Sequence, residues 1–349
     1  MERMNILVSS TRQWNPGDEF IRKGVQRLLC GLLGSEHNWL LWNRNPDLFM
    51  NRWTDSRLRT DFLTNSLREP ALDVIDLVVF AGTPEWLGQP VERIYRSLLK
   101  HPKVPVLILG VGSGAIMPEL APHEIEVLDR NNVFITTRSF ELAQCLNSQL
   151  STPKAIPLPC PALYSAGTPG EWREQRRIGV IVQSSGTENQ NVSEEFVQEL
   201  ITELQHVQSG VDLDIISFYI DEHMRFTRLN FNYPCVYSYD PEDLLARLSS
   251  YSTIISTRLH GAIAGLSAGV PSILLAEAHN VRVRSAQQLF GHLLPIMAVS
   301  DALYEATTAT HEQVRQRSQD ILSFRSDSLQ QLSRLTGAFL NEVLPRHAN

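Results

Sequence analysis

Several segments of this chain are apolar almost without interruption. Ile75-Asp-Leu-Val-Val-Phe80 and Val104-Pro-Val-Leu-Ile-Leu109 present no polar face, so neither suits a strand with one side in water. Such runs belong in parallel sheets covered on both faces by helices. The rest of the chain agrees. In the first half, strand-like runs at Asn5–Ser9, Val133–Thr136 and Ala155–Leu158 join these two, and they alternate with amphipathic stretches at Glu19–Leu33, Val91–Leu99, Pro122–Asp129 and Phe140–Leu146. Residues 157–176 interrupt the pattern with four prolines (Pro157, Pro159, Pro161, Pro169) and two glycines, and they read as a linker. The alternation restarts at Arg177–Gln183 and continues through Asp214–Tyr219, Cys235–Tyr239, Thr253–Ser256 and Ser272–Leu275. Asp240 followed by Pro241, Glu242 and Asp243 marks a helix start, and His311–Val343 reads as a long helix or a helical pair. The expected fold is α/β: two doubly wound Rossmann-like domains facing a cleft, with a domain over 1–156, a linker over 157–176 and a domain over 177–349. A length of 349 residues fits two domains at about 150 residues each.

Composition narrows the function classes. With 31 Lys+Arg against 38 Asp+Glu the net charge is −7, which disfavours coating of nucleic acid and polybasic attachment to membranes. No apolar run approaches the roughly 20 residues of a membrane span, so no integral membrane segment is expected. The N-terminus has no signal-peptide pattern, and the four cysteines (Cys30, Cys145, Cys160, Cys235) lie far apart. A cytoplasmic protein with reduced thiols and no metal site is the expectation.

One segment carries the most chemistry: Ser252-Thr-Ile-Ile-Ser-Thr-Arg-Leu-His-Gly-Ala-Ile-Ala-Gly-Leu-Ser-Ala-Gly-Val-Pro-Ser-Ile-Leu-Leu275. A β-branched strand runs into a polar turn and then a helix of small residues, ended by Gly269 with Pro271 beyond it. Gly261 and Gly265 strip side chains from one helical face, allowing close approach of backbone or ligand. Arg258 and His260 fall between the strand's carboxyl end and the helix's amino end, where free N–H groups favour an anion. The guanidinium suits a phosphate or carboxylate, and the imidazole can exchange protons near neutral pH. Alone, Arg258 would cap a strand and His260 would be a satisfied core histidine. Their coincidence with a glycine-rich helix start at a strand end favours a functional site.

The segment resembles the polysaccharide pyruvyl transferase family, whose members share an Arg-Leu-His turn, a small-residue helix and a Gly-x-Pro, here Arg258-Leu259-His260 to Gly269-Val270-Pro271. The likeness extends to Asn15-Pro-Gly-Asp-Glu19, to Phe134-Ile-Thr-Thr-Arg138 and to His279-Asn-Val-Arg-Val-Arg284, where Arg282 stands for a lysine frequent in the family. The resemblance implies a GT-B-like fold and transfer of pyruvate from phosphoenolpyruvate to two hydroxyls of a sugar or glycan acceptor, giving a cyclic ketal. It makes His260 the candidate general acid/base and Arg258 a donor ligand. Leu259, Arg138 and Arg282 join the donor side. Phosphoenolpyruvate is a co-substrate, and no cofactor is expected.

The acceptor side departs from the family. Ala81-Gly-Thr-Pro-Glu-Trp86 replaces a glycine run, and Cys160-Pro-Ala162 lacks an Asp common there. Asn15, Gly17 and Asp18 either cap the first helix or contact an acceptor. Asp221-Glu-His223 reads as a solvated loop. Two other readings stay open: a GT-B glycosyltransferase using a nucleotide sugar, since Ser267-Ala-Gly-Val-Pro271 also resembles a donor-domain helix end, and a non-catalytic anion- or sugar-binding relative.

Overall fold

A computed structural model describes residues 3–10, 16–43, 72–82, 93–112, 117–167, 176–183, 192–207, 211–229, 231–277 and 280–344. Two six-stranded sheets organise them, and every pairing is parallel. The chain divides into two compact units. The first comprises 1–14, 25–161 and 329–349, and the second 15–24 and 162–328. The division is discontinuous, unlike the expected 1–156 and 177–349. The first turns of the first helix group with the second unit, and the end of the last helix groups with the first. The stretch read as a linker is also structured in part. Leu158, Cys160, Ala162, Leu163, Tyr164 and Ser165 are buried, and Pro161–Tyr164 form a 3₁₀ turn. Within that described part, Pro159 and Pro161 are themselves buried.

In the first unit the strands are β1 (Asn5–Ser10), β2 (Asn38–Asn43), β3 (Leu77–Ala81), β4 (Val106–Val111), β5 (Val133–Thr137) and β6 (Ala155–Pro157), in the order β2-β1-β3-β4-β5-β6. The apolar runs behave as their composition requires: every residue of β3, β4 and β5 is buried. Helices α1 (Pro16–Leu33), α2 (Arg93–Lys100), α3 (Pro122–Leu128) and α4 (Phe140–Gln149) connect them. Val78, Phe80, Ile94, Leu98, Ile108, Ile135 and Leu146 belong to a single core cluster, and complete burial of such a side chain contributes roughly 1.5–3 kcal/mol.

The second unit contains β7 (Arg177–Ile181), β8 (Asp212–Ser217), β9 (Cys235–Tyr237), β10 (Thr253–Ser256), β11 (Ser272–Leu275) and β12 (Ile296–Met297). Its helices are α5 (Glu194–His206), α6 (Ile220–Thr227), α7 (Pro241–Leu248), α8 (Leu259–Ser267), α9 (Val281–Gln288), α10 (Val299–Thr308) and the first part of α11 (His311–Val343), which is one continuous helix. The strand order β12-β11-β10-β7-β8-β9 reverses direction between β7 and β10. In open α/β sheets that reversal opens a crevice at the carboxyl ends of the two strands, where ligands bind. Asp240 caps α7 by accepting the Glu242 N–H at 3.0 Å, as its sequence pattern predicts.

Candidate functional site

The residues at the β7/β10 reversal are those of the Arg-Leu-His segment. Where β10 ends, Ser256 Oγ accepts the Arg258 N–H at 3.0 Å and donates to the Arg258 carbonyl at 2.8 Å, folding the turn on itself. Thr257 Oγ1 accepts the N–H of Gln183, just past β7, at 2.8 Å. Arg258 is the extended N-cap residue of α8, and all nine residues of that helix are buried. Gly261 and Gly265 prove to be sheet-packing positions. A Cβ on Gly261 would lie 2.8 Å from both Ile181 Cδ1 and Ser256 Oγ, and one on Gly265 would collide with Ser272 and Ile254. The bare helical face is occupied by the protein itself. Gly269 ends the segment at φ +78°, and the Val270 N–H closes onto the Gly265 carbonyl at 2.9 Å.

Arg258 is held by more than its turn. Its Nη2 donates to Glu222 Oε1 in an ion pair whose side chains are 10% and 0% exposed. The guanidinium carbon sits 4.5 Å from the Tyr219 ring centroid and 5.7 Å from that of Phe218. Glu222 is fixed in turn: Oε2 accepts the N–H groups of Phe218 and Tyr219 at 3.1 and 3.2 Å, an N3 carboxylate capping α6. Breaking such a buried pair by removing one partner costs roughly 3–5 kcal/mol. Arg258 Nε is buried and has no hydrogen-bond partner among the described residues. Asp221-Glu-His223 is therefore the start of α6 and not a solvated loop. Glu222 escapes a sequence reading because one carboxylate in a polar stretch shows no periodicity; its only signal is its place three residues after the cap.

His260 is 8% exposed, and the start of α1 packs on it. A Cβ on Gly17 would stand 2.5 Å from His260 Nδ1 and 2.9 Å from its Cγ, so only glycine lets the helix backbone lie against this imidazole. Asp18 follows, half-buried, and Glu19 is buried and paired with Arg22 at 2.7 Å. Phe20 meets Phe218 edge-on at 5.9 Å, and Lys23 pairs with Glu242 at the start of α7. Two sequence motifs some 240 positions apart thus share the second unit. Leu259 is buried and lends its side chain to packing.

Arg138 belongs to the first unit. Just past β5, it is 3% exposed, donates its N–H to the Val111 carbonyl at 2.8 Å, and lays its guanidinium across Gly112, where any Cβ would collide with it. Asn15 and residues 83–86 lie outside the described residues, as does the side chain of Arg282, whose backbone is in α9. Cys160 is fully buried. Among the described residues, no group of three or more His, Cys, Asp or Glu could hold a metal ion, and no helix is long and apolar enough to cross a membrane.

The family model for polysaccharide pyruvyl transferase matches residues 15–279. The chain belongs to that family. As a pyruvyl transferase it is an enzyme that moves its group onto a sugar or glycan acceptor, and the matched span begins at Asn15 and includes Arg138 and the whole Arg258–Pro271 segment. Solved structures establish the fold. The α,α-trehalose 6-phosphate synthase of Burkholderia multivorans is 14% identical over 98% of this chain and 97% of its own, with a TM-score of 0.56. The glycosyltransferase SnogD of Streptomyces nogalater is 14% identical over 97% and 100%, TM-score 0.53. The S. aureus MnaA–UDP structure is 11% identical over 90% and 90%, TM-score 0.56. The pyruvyl transferase has their GT-B-like pair of Rossmann-type domains. None of the curated protein sequences compared with it matches.

Proposed function

We propose that the pyruvyl donor is phosphoenolpyruvate, that Arg258 binds it as an anion, and that His260 is the general acid/base. The observation carrying this reading is the Arg258 Nε–H, buried at the β7/β10 reversal and unpartnered among the described residues beside a histidine held by Gly17. A buried donor left unmade costs about 1–3 kcal/mol, which a carboxylate or phosphate oxygen would recover. Arg138 and Arg282 add positive charge to the donor side, and Leu259 backs the turn. Asn15, Gly17 and Asp18 belong to the acceptor side, with Asp18 orienting a hydroxyl.

The chemistry balances without a cofactor. Protonation of the donor's methylene carbon generates a cation-like centre at C2, which one acceptor hydroxyl attacks. Phosphate leaves, and the second hydroxyl closes the ketal ring. Of the two hydroxyl protons, one ends on the new methyl group and one on phosphate, with His260 moving protons between these positions. A positioned imidazole is worth roughly 10²–10⁴ in rate. The test is phosphate release from phosphoenolpyruvate with a panel of sugar acceptors. His260→Ala should lose about 10²–10⁴-fold in kcat while remaining folded. Full activity in that variant would remove His260 from the mechanism. Thermal stabilisation by a nucleoside diphosphate but not by phosphoenolpyruvate would overturn the donor assignment.

A further inference from the structure

Three contacts converge on the guanidinium of Arg258, and a fourth holds its backbone. Glu222 Oε1 takes its Nη2, the Tyr219 ring lies 4.5 Å from its carbon, the Phe218 ring lies 5.7 Å away, and its own backbone is pinned by Ser256. A guanidinium is a rigid planar fork, so fixing one terminal nitrogen and the plane also fixes where the Nε–H points. Glu222 can impose that direction because it cannot turn. Its second oxygen is occupied by the N–H groups of Phe218 and Tyr219, and its side chain is fully buried. The turn from β8 into α6 thus carries both the carboxylate and the aromatic clamp.

We propose that Glu222 is a positioning residue for pyruvyl transfer, aiming the Arg258 Nε–H at the anionic donor; this rests on the reading of Arg258 as a donor ligand. Capping alone does not account for a glutamate here, since Gln serves equally at the third position of a capping box. The ion pair to Arg258 is what a glutamine cannot reproduce. Because the paired carboxylate cancels the arginine's charge, the donor is bound through directed hydrogen bonds and not through a diffuse positive field.

The test compares Glu222→Gln, Arg258→Met and the double variant by calorimetric titration with phosphoenolpyruvate at a temperature where circular dichroism shows all of them folded. Glutamine keeps a carbonyl for the Phe218 and Tyr219 N–H groups and turns an amide donor toward Arg258. Arg258→Met should weaken binding about 10–100-fold, as loss of a hydrogen bond to a charged group predicts. Glu222→Gln should weaken it about tenfold, and the double variant no further than Arg258→Met, since residues acting through one contact are non-additive. A purely structural role would lower the melting temperature of Glu222→Gln and leave its affinity for phosphoenolpyruvate at the wild-type value. That result, tighter binding, or fully additive losses in the double variant would each overturn the proposal. Wild-type affinity in Arg258→Met would instead sink the donor reading, whatever Glu222 does.

Discussion

The second sheet carries an arginine clamped by a buried carboxylate at each end, and the two are finished differently. At the amino ends of its strands, Arg177 Nη2 donates to Asp214 at 2.8 Å, its Nε lies 3.4 Å from Asp212, and Asp214 also accepts the Tyr251 hydroxyl at 2.6 Å. At the carboxyl ends, Arg258 has one carboxylate, two aromatic neighbours and a buried Nε with no partner among the described residues. Arg177 Nε, like Arg258 Nε, is buried without a hydrogen-bond partner among the described residues, but a second carboxylate, Asp212, lies within ion-pair distance of it. Arg258 is paired with Glu222 alone among the described residues. A cavity of about 400 Å³ adjoins the amino-end cluster, lined by Arg176, Arg177, Asp212, Ser252 and His311 among others. Its size alone would suit a small ligand. Yet its arginine faces two carboxylates, whereas Arg258 faces one and sits where α/β sheets bind ligands. Place in the sheet and the number of carboxylates, more than cavity volume, distinguish the two arginines.

Gly17→Ala should sharpen this contrast most. The new methyl would press on a buried imidazole with 2.5 Å to Nδ1, so either His260 or the first turn of α1 must move. Overpacking of this kind costs about 1–3 kcal/mol, and displacing a proton-transfer group should lower kcat about tenfold or more. Phosphate-release kinetics and a melting curve read both effects. Wild-type kcat would mean that α1 does not seat His260 for catalysis. Next in size is Arg177→Met, which strips the guanidinium from nearly buried Asp214 (2% exposed). We expect about 1–3 kcal/mol of lost stability, below the cost of a fully buried pair because Arg177 is 36% exposed, and unchanged affinity for phosphoenolpyruvate. A loss of affinity would show that the two ends of the sheet are coupled.

Much of this architecture is legible in the sequence. The strands at Thr253–Ser256 and Ser272–Leu275 lie where their β-branched, apolar composition places them, and Asp240 and Gly269 cap as their types require. Edge strands are harder. Asn38–Asn43 begins and ends in asparagine and is half-exposed, and Ile296–Met297 is too short to show a period. The site divides in the same way. Arg258 and His260 are visible because their signal is local: a strand end, a turn and a helix start within a few residues. Glu222 and the Gly17 contact are not, because each depends on a partner brought in from another strand or helix. Gly261 and Gly265 were open to two readings, and only the sheet beneath them shows that Ile181, Ser256, Ile254 and Ser272 take up the space.

The smallest effect belongs to Tyr251→Phe, and it bears most directly on how the amino-end cluster is held together. Burial first, and then the hydrogen bond to Asp214, push the Tyr251 phenol above its ordinary range. A raised phenol means that the fold favours the neutral hydroxyl over phenolate. Its contribution to stability is therefore complete below about pH 10, the ordinary phenol value, and is lost as pH climbs beyond it. Phenylalanine removes the donor but leaves Asp214 paired with Arg177, so about 1 kcal/mol should be lost near neutral pH. Part of the alkaline decline in stability should disappear with it. Denaturant titrations at pH 7 and above pH 10 read both quantities, and binding of phosphoenolpyruvate should be unaffected. Unchanged stability of the variant at pH 7 would show that the Tyr251 hydroxyl does not hold Asp214, since burial by itself raises the phenol. Asp214 would then rest on Arg177 alone.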